Sequence, residues 1–158
     1  MGVPKCNLGT RPARFTTKGT KSTKGLRRML KAFCEYLVSS GGPEGLVIGQ
    51  TLFAGTRPQS APHLCTVVME RTGMRVHPEL KDQRELHFQV LTRAASYFAA
   101  RDEAEKIFEW IVNQKGLDWS DWWICNVEGI APAYIGMDDK SRCEFSSNLV
   151  VRARKKES

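Results

Sequence analysis

The feature that most constrains this chain is a repeated change in hydrophobic period. Across residues 23–40, Leu26, Met29, Leu30, Phe33 and Leu37 recur at helical spacing, which gathers them on one face of a helix. Ser22 or Thr23 can cap its start, and the Gly41, Gly42, Pro43 run stops it. The period then shortens. "GLVIGQTLF" (45–53) and "HLCTVVMER" (63–71) are β-branched and strand-length, and "AGTRPQSAP" between them supplies turn residues, so a long-looped hairpin is expected. In "ELHFQVLTR" (85–93), Leu86, Phe88 and Val90 alternate with His87, Gln89 and Leu91, the mark of a strand with one buried face.

Helical spacing returns over residues 98–114. Ala100, Ala104, Ile107, Phe108 and Ile111 form one stripe, and Arg101, Asp102, Glu103, Glu105, Lys106 and Glu109 lie mainly on the other. "WWICNVEG" (122–129) and "CEFSSNLVVRAR" (143–154) read as two last strands joined by a connection, "IAPAYIGMDDKSR". The expected order is αβββαββ: an α+β domain, residues 23–158, with a mostly antiparallel sheet and two main helices packed on one face. No internal repeat is visible. With 158 residues and 41% hydrophobic content, one core suffices for one domain.

Residues 1–22 mix Gly, Pro, Thr and Lys without apolar spacing and are expected to be a flexible basic arm, its charges including Lys5, Arg11, Arg14, Lys18 and Lys21, with Lys24 continuing the basic run just past it. The net charge of +7 sits at the ends. Residues 1–31 hold nine bases and no acid, whereas residues 35–151 hold eleven bases and sixteen acids. A mildly acidic body argues against a dedicated nucleic-acid-binding module. The arm is either solvated chain or a grip on a phosphate backbone or an acidic neighbour.

No uninterrupted apolar stretch approaches the ~20 residues of a membrane span, and "MGVPKCNLGT" lacks the apolar centre of a signal peptide. A soluble, intracellular chain without a membrane partner is expected. The five cysteines (Cys6, Cys34, Cys65, Cys125, Cys143) never approach CxxC spacing, so they read as reduced, mostly small apolar residues. His63, His77 and His87 form no HExxH or HxH pattern. His63 and Cys65 share a strand face, but two ligands fall short of a metal site. Cys34 with His87 would need an orienting third group to act as a hydrolase, and Asp138 and Asp139 sit where turns favour aspartate. The chain is expected to have no catalytic, cofactor or metal site. Trp110, Trp119, Trp122 and Trp123 crowd one end of the sheet. Trp122 and Trp123, being adjacent on a strand, must face opposite ways, which makes one of them a candidate interface anchor.

The succession "LCTVVMERTG", "LHFQVLTRAASYFAARDEAEKIFEWI" and "PAYIGMDDKSRCEFSSNLVV" resembles the minor capsid or tail terminator proteins of long-tailed bacteriophages. The pattern is a glutamate ending one strand before a Gly, Arg93 closing the next ahead of an Ala-rich helix, then Pro132, Gly136, Asp138, Phe145 and Asn148. The resemblance spans about 130 residues, and the arm extends beyond it. It implies a small α+β subunit, not an enzyme, that forms a six-membered homo-oligomeric ring at the head-proximal end of the tail tube. Such a ring stops tube growth and offers a surface to head completion or connector proteins. The implied location is the virion tail, after assembly in the host cytoplasm, and the implied partner there is the tube protein; an acidic patch on an adjacent ring, ahead of DNA in the lumen, is the expected contact of the arm, whose role the resemblance does not supply. In that setting "GIAPAYIGMDDKSR" is a shaped contact surface: Pro132 stiffens it, Gly136 permits a backbone twist, and Asp138 locks the turn. A neck or head-to-tail adaptor ring is the alternative, and a nucleic-acid-binding module or an unrecognised hydrolase comes after it.

Overall fold

A computed structural model describes residues 21–39, 41–71, 75–112, 114, 116–119 and 121–156, with only the backbone described at 21–28. Among these residues run α1 (Lys21–Leu37), β1 (Leu52–Ala54), β2 (Cys65–Glu70), β3 (Arg75–Val76), β4 (Gln83–Ala94), α2 (Tyr97–Val112), β5 (Leu117–Trp119), β6 (Trp122–Met137) and β7 (Cys143–Lys155). The basic arm lies outside the described residues up to residue 20. Lys21, expected on that arm, belongs instead to the first turn of α1, with Lys24 just after it.

The expected α+β domain of order αβββαββ is not what forms. Strand outweighs helix, and the strands make one curled, mixed half-barrel sheet. Its path is β1-β2-β4-β7-β6-β5, with β3 added beside β4. Two short strands, β3 and β5, are too brief to show a period. The larger departure is β1, which pairs parallel to β2, Leu52 opposite Thr66 and Ala54 opposite Val68. The expected hairpin fails because residues 45–51 wind into a turn. The Thr51 hydroxyl accepts from Val47 N and donates to Gly45 O, at 2.8 and 2.7 Å, and Gln50, Thr51 and Leu52 all donate to Val47 O. Val47 and Ile48 are left exposed.

The concave face carries the core. Leu86, Phe88 and Val90 of β4, Leu149 and Val151 of β7, and Ile124 and Val127 of β6 meet Met29, Phe33 and Leu37 of α1 and Ile107 and Ile111 of α2. Phe33 stacks on Phe88 at 5.1 Å and tilts against Trp119 at 5.0 Å, a geometry that adds to the area both rings bury. A satellite cluster of Ala94, Ala100, Ala104, Cys143 and Phe145 lets the start of α2 approach the far end of the sheet closely.

The opposite face is also partly covered, a layer that the helix pattern did not announce. Cys65 and Val67 point away from the helices yet are buried, because the segment 55–63 crosses over them. β6 also runs well past Gly129. Met137 still pairs with Cys143 at its end, so most of the expected connection is strand. Pro132 falls in the register break between Ile130 and Ala133, where a missing N–H disrupts no ladder pair. Gly136, beside another break, has φ +125°, a conformation that favours glycine.

Candidate functional site

The true turn of the β6–β7 hairpin is residues 138–142, and Asp138 organises it. Its Oδ1 accepts from the backbone N–H groups of Lys140 and Arg142, both at 3.0 Å. Its Oδ2 accepts from Arg142 Nε at 2.7 Å and Arg142 Nη2 at 2.6 Å. The Arg142 guanidinium, followed by the backbone donors, holds the Asp138 carboxyl well below the usual carboxylate range. Ser141 takes φ 56°, completing the reversal.

Arg93 reaches the same carboxylate from β4. Its Nη1 donates to Asp138 Oδ2 at 3.3 Å, while Nη2 donates to the carbonyls of Ala61 and Pro62 at 3.2 and 2.8 Å. The Arg93 side chain is only 3% exposed. Arg57, from the crossing segment, binds Glu144 of β7 at 2.7 Å. These bonds stitch the segment, the fourth strand and the hairpin tip into one network on the convex face. Two residues singled out by sequence pattern, Arg93 and Asp138, are thus partners 45 positions apart. Arg57, Arg142 and Glu144 were missed. Arg142 follows Asp138 by four residues across a turn, which is a usable signal; Arg57 has none, since nothing local says what it crosses.

The network borders a pocket of about 330 Å³ lined by Arg57, Pro58, Gln59, Arg93, Asp139, Lys140 and Arg142. Cys65 lies close to the arginines of the network. Burial raises the Cys65 thiol, and the nearby Arg93, Arg57 and Arg142 only partly oppose that, so no reactive thiolate is prepared. Cys34 is pushed up to about 11 by burial and by Glu35. It sits on the helix side of the sheet, while His87 faces the other side and bonds Glu85 at 3.1 Å. Among the described residues no group of three potential metal ligands exists.

Beside the hairpin lies an apolar surface. Tyr97 contacts Tyr134 and Phe145 edge-on, at 5.2 and 5.1 Å. Phe145 is buried, Pro132 is half-buried and Asn148 is exposed. Along the hairpin and the start of α2, Phe98, Ile130, Ile135 and Met137 are 72%, 69%, 53% and 63% exposed, with Ile130 on the face of Asn148 and Tyr134 on the face of Phe145. Trp122 is buried and Trp123 half exposed, at the opposite end of β6. From Cys125 onward the outer edge of β6 has no neighbouring strand among the described residues. Three register breaks and Pro132 discourage strand addition there, so its exposed side chains remain as the means of contact.

A β-rich scaffold with a structural polar network and exposed apolar side chains along the β6–β7 hairpin is of the kind used for contact rather than catalysis. The family described as bacteriophage tail terminator protein matches residues 42–154. The chain belongs to this family, and it is a structural component of the phage tail. No curated protein matches the chain.

Proposed function

We propose that this chain is the subunit of a six-membered ring that closes the head-proximal end of the tail tube, ends tube polymerisation and presents a surface to head completion proteins. The observation that supports this reading is the set of exposed apolar side chains Phe98, Ile130, Ile135 and Met137 on both faces of the β6–β7 hairpin and at the start of α2. Surfaces of this kind mark contact sites, and a ring needs two different patches of one subunit to meet head to tail. The tail tube protein is the second partner. The ring assembles in the host cytoplasm and remains at the head-proximal end of the virion tail. No helix of the described residues is long and apolar enough to cross a membrane, and the partners proposed are all virion components.

The test is a particle made without this protein. Tails of uncontrolled, mostly excessive length with few heads attached are expected. Tails of normal length lacking only heads would overturn the terminator reading in favour of a neck adaptor.

A further inference from the structure

The convex-face network does not balance its charge. Arg93 and Arg142, with side chains 3% and 9% exposed, share the single carboxylate of Asp138. Arg57 and Glu144 pair with each other, at 22% and 16% exposure. Three guanidinium groups therefore face two carboxylates in a site largely withdrawn from water. At the rim, Lys140 and Asp139 are exposed and opposite in sign. One interior cation is in excess. The Nε–H of Arg93 is buried with no hydrogen-bond partner, so the most deeply placed guanidinium of the three also has an unused donor. A buried charge and an unmade hydrogen bond are both unfavourable, and both lie beside the pocket of about 330 Å³.

We propose that this pocket, framed by Arg57, Arg93, Lys140 and Arg142, receives an Asp or Glu side chain from a neighbouring copy of the chain, and this rests on the ring reading above. A planar carboxylate matches the guanidinium fork and supplies the missing negative charge. Duplex DNA fits poorly, because one interior cation in excess matches a single carboxylate and not the row of phosphates that a duplex presents. A second copy has the required chemistry, because residues 35–151 carry five more acids than bases. In a head-to-tail ring each copy's acidic body lies next to the following copy's pocket.

Two measurements test this separately from the ring. In the free full-length protein, the arginine Nε–H resonances of Arg93 and Arg142 are followed by NMR during titration with sodium acetate, with sodium chloride and inorganic phosphate as comparisons. A saturable shift with acetate, absent with chloride, is expected whether or not rings form; no shift, or a shift with phosphate alone, overturns the carboxylate assignment. In the second measurement Lys140→Glu places a carboxylate on the rim without touching the buried network. The variant should melt like wild type yet enter particles about tenfold less, since like charges facing across an interface are strongly unfavourable. Lys140→Gln should fall between the two. Lys140→Glu entering particles as wild type overturns the neighbouring-copy occupant whatever acetate does, and so does weakened duplex-DNA binding with normal entry. The ring itself is judged by tail length without the protein, so the two failures are distinguishable.

Discussion

Replacing Ile130 and Ile135 together by serine should disable assembly while leaving the fold intact. Full burial of an isoleucine side chain contributes about 1.5–3 kcal/mol. Scaled by their exposed fractions of 69% and 53%, the two residues offer about 2–4 kcal/mol to a contact that covers them. At ~1.4 kcal/mol per factor of ten, that is roughly a 30- to 700-fold loss in affinity at each subunit contact. By the same scaling, the fractions already covered hold about 1–2 kcal/mol in the free chain, a melting shift of roughly 2–8 °C; neither side chain belongs to the core, so the fold survives the change. Val76→Ser with Leu80→Ser is the control, since these residues are 56% and 52% exposed but lie at the other end of the sheet, around β3. The assay is complementation of particles lacking the protein, scored by incorporation and tail length, alongside thermal melting. If the Ile130/Ile135 variant enters particles and limits tails as wild type does, the apolar edge is not the contact.

Gly129→Ala should destabilise the fold by about 1–3 kcal/mol, because the new Cβ would lie 2.6 Å from Leu149, 2.9 Å from Phe108 and 3.2 Å from the carbonyl of Asn148; thermal melting checks it, and partial recovery with Phe108→Leu would identify the clash. Asp138 has a folded carboxyl pKa below its ordinary 3.8, so it contributes stability above that value and loses it as pH falls through the depressed one. Asp138→Asn should therefore be less stable than wild type at neutral pH, with the gap closing toward strong acid in denaturant titrations across pH. Glu70 is the opposite case: burial raises its carboxyl above 4.5 and its Oε1 has no partner, so its contribution declines as pH rises from 4.5 through the folded value. Glu70→Gln should flatten that decline, read from melting temperatures between pH 4 and pH 8. Deleting residues 1–20 should leave the melting curve unchanged and weaken docking in a salt-sensitive way; unchanged docking at low salt would assign the arm another role.

Much of the core was legible because its periods are regular. The stripe of Ala100, Ala104, Ile107 and Ile111 and the alternation of Leu86, Phe88 and Val90 each report a face, and those faces meet. What failed depends on contacts distant in sequence. Val47 and Ile48 have the composition of a strand, yet a hydroxyl four residues from Val47 captures the backbone first. Nothing local shows that β1 will return parallel, since its direction is set by the segment 55–63, whose path depends on Arg93 and Glu144. Arg93 stands out in the sequence only by its place at the end of a strand; its partner Asp138 is brought to it when the hairpin folds beside β4.

The stretch 129–137 shows why a strand can read as a connection and still serve as one. Two glycines and Pro132 break the alternation that a regular strand would display, and β6 pairs with β7 regardless because β7 is long and regular enough to hold it in place. Those irregular residues also interrupt the open edge. A flat, continuous edge of this length would recruit any extended chain, including further copies in indefinite number. A broken edge admits contact only through side chains, which must match a shaped partner. Under the proposed ring, the features that hid the strand are also ones its subunit would use, since contacts there would have to close upon a fixed number of copies instead of propagating.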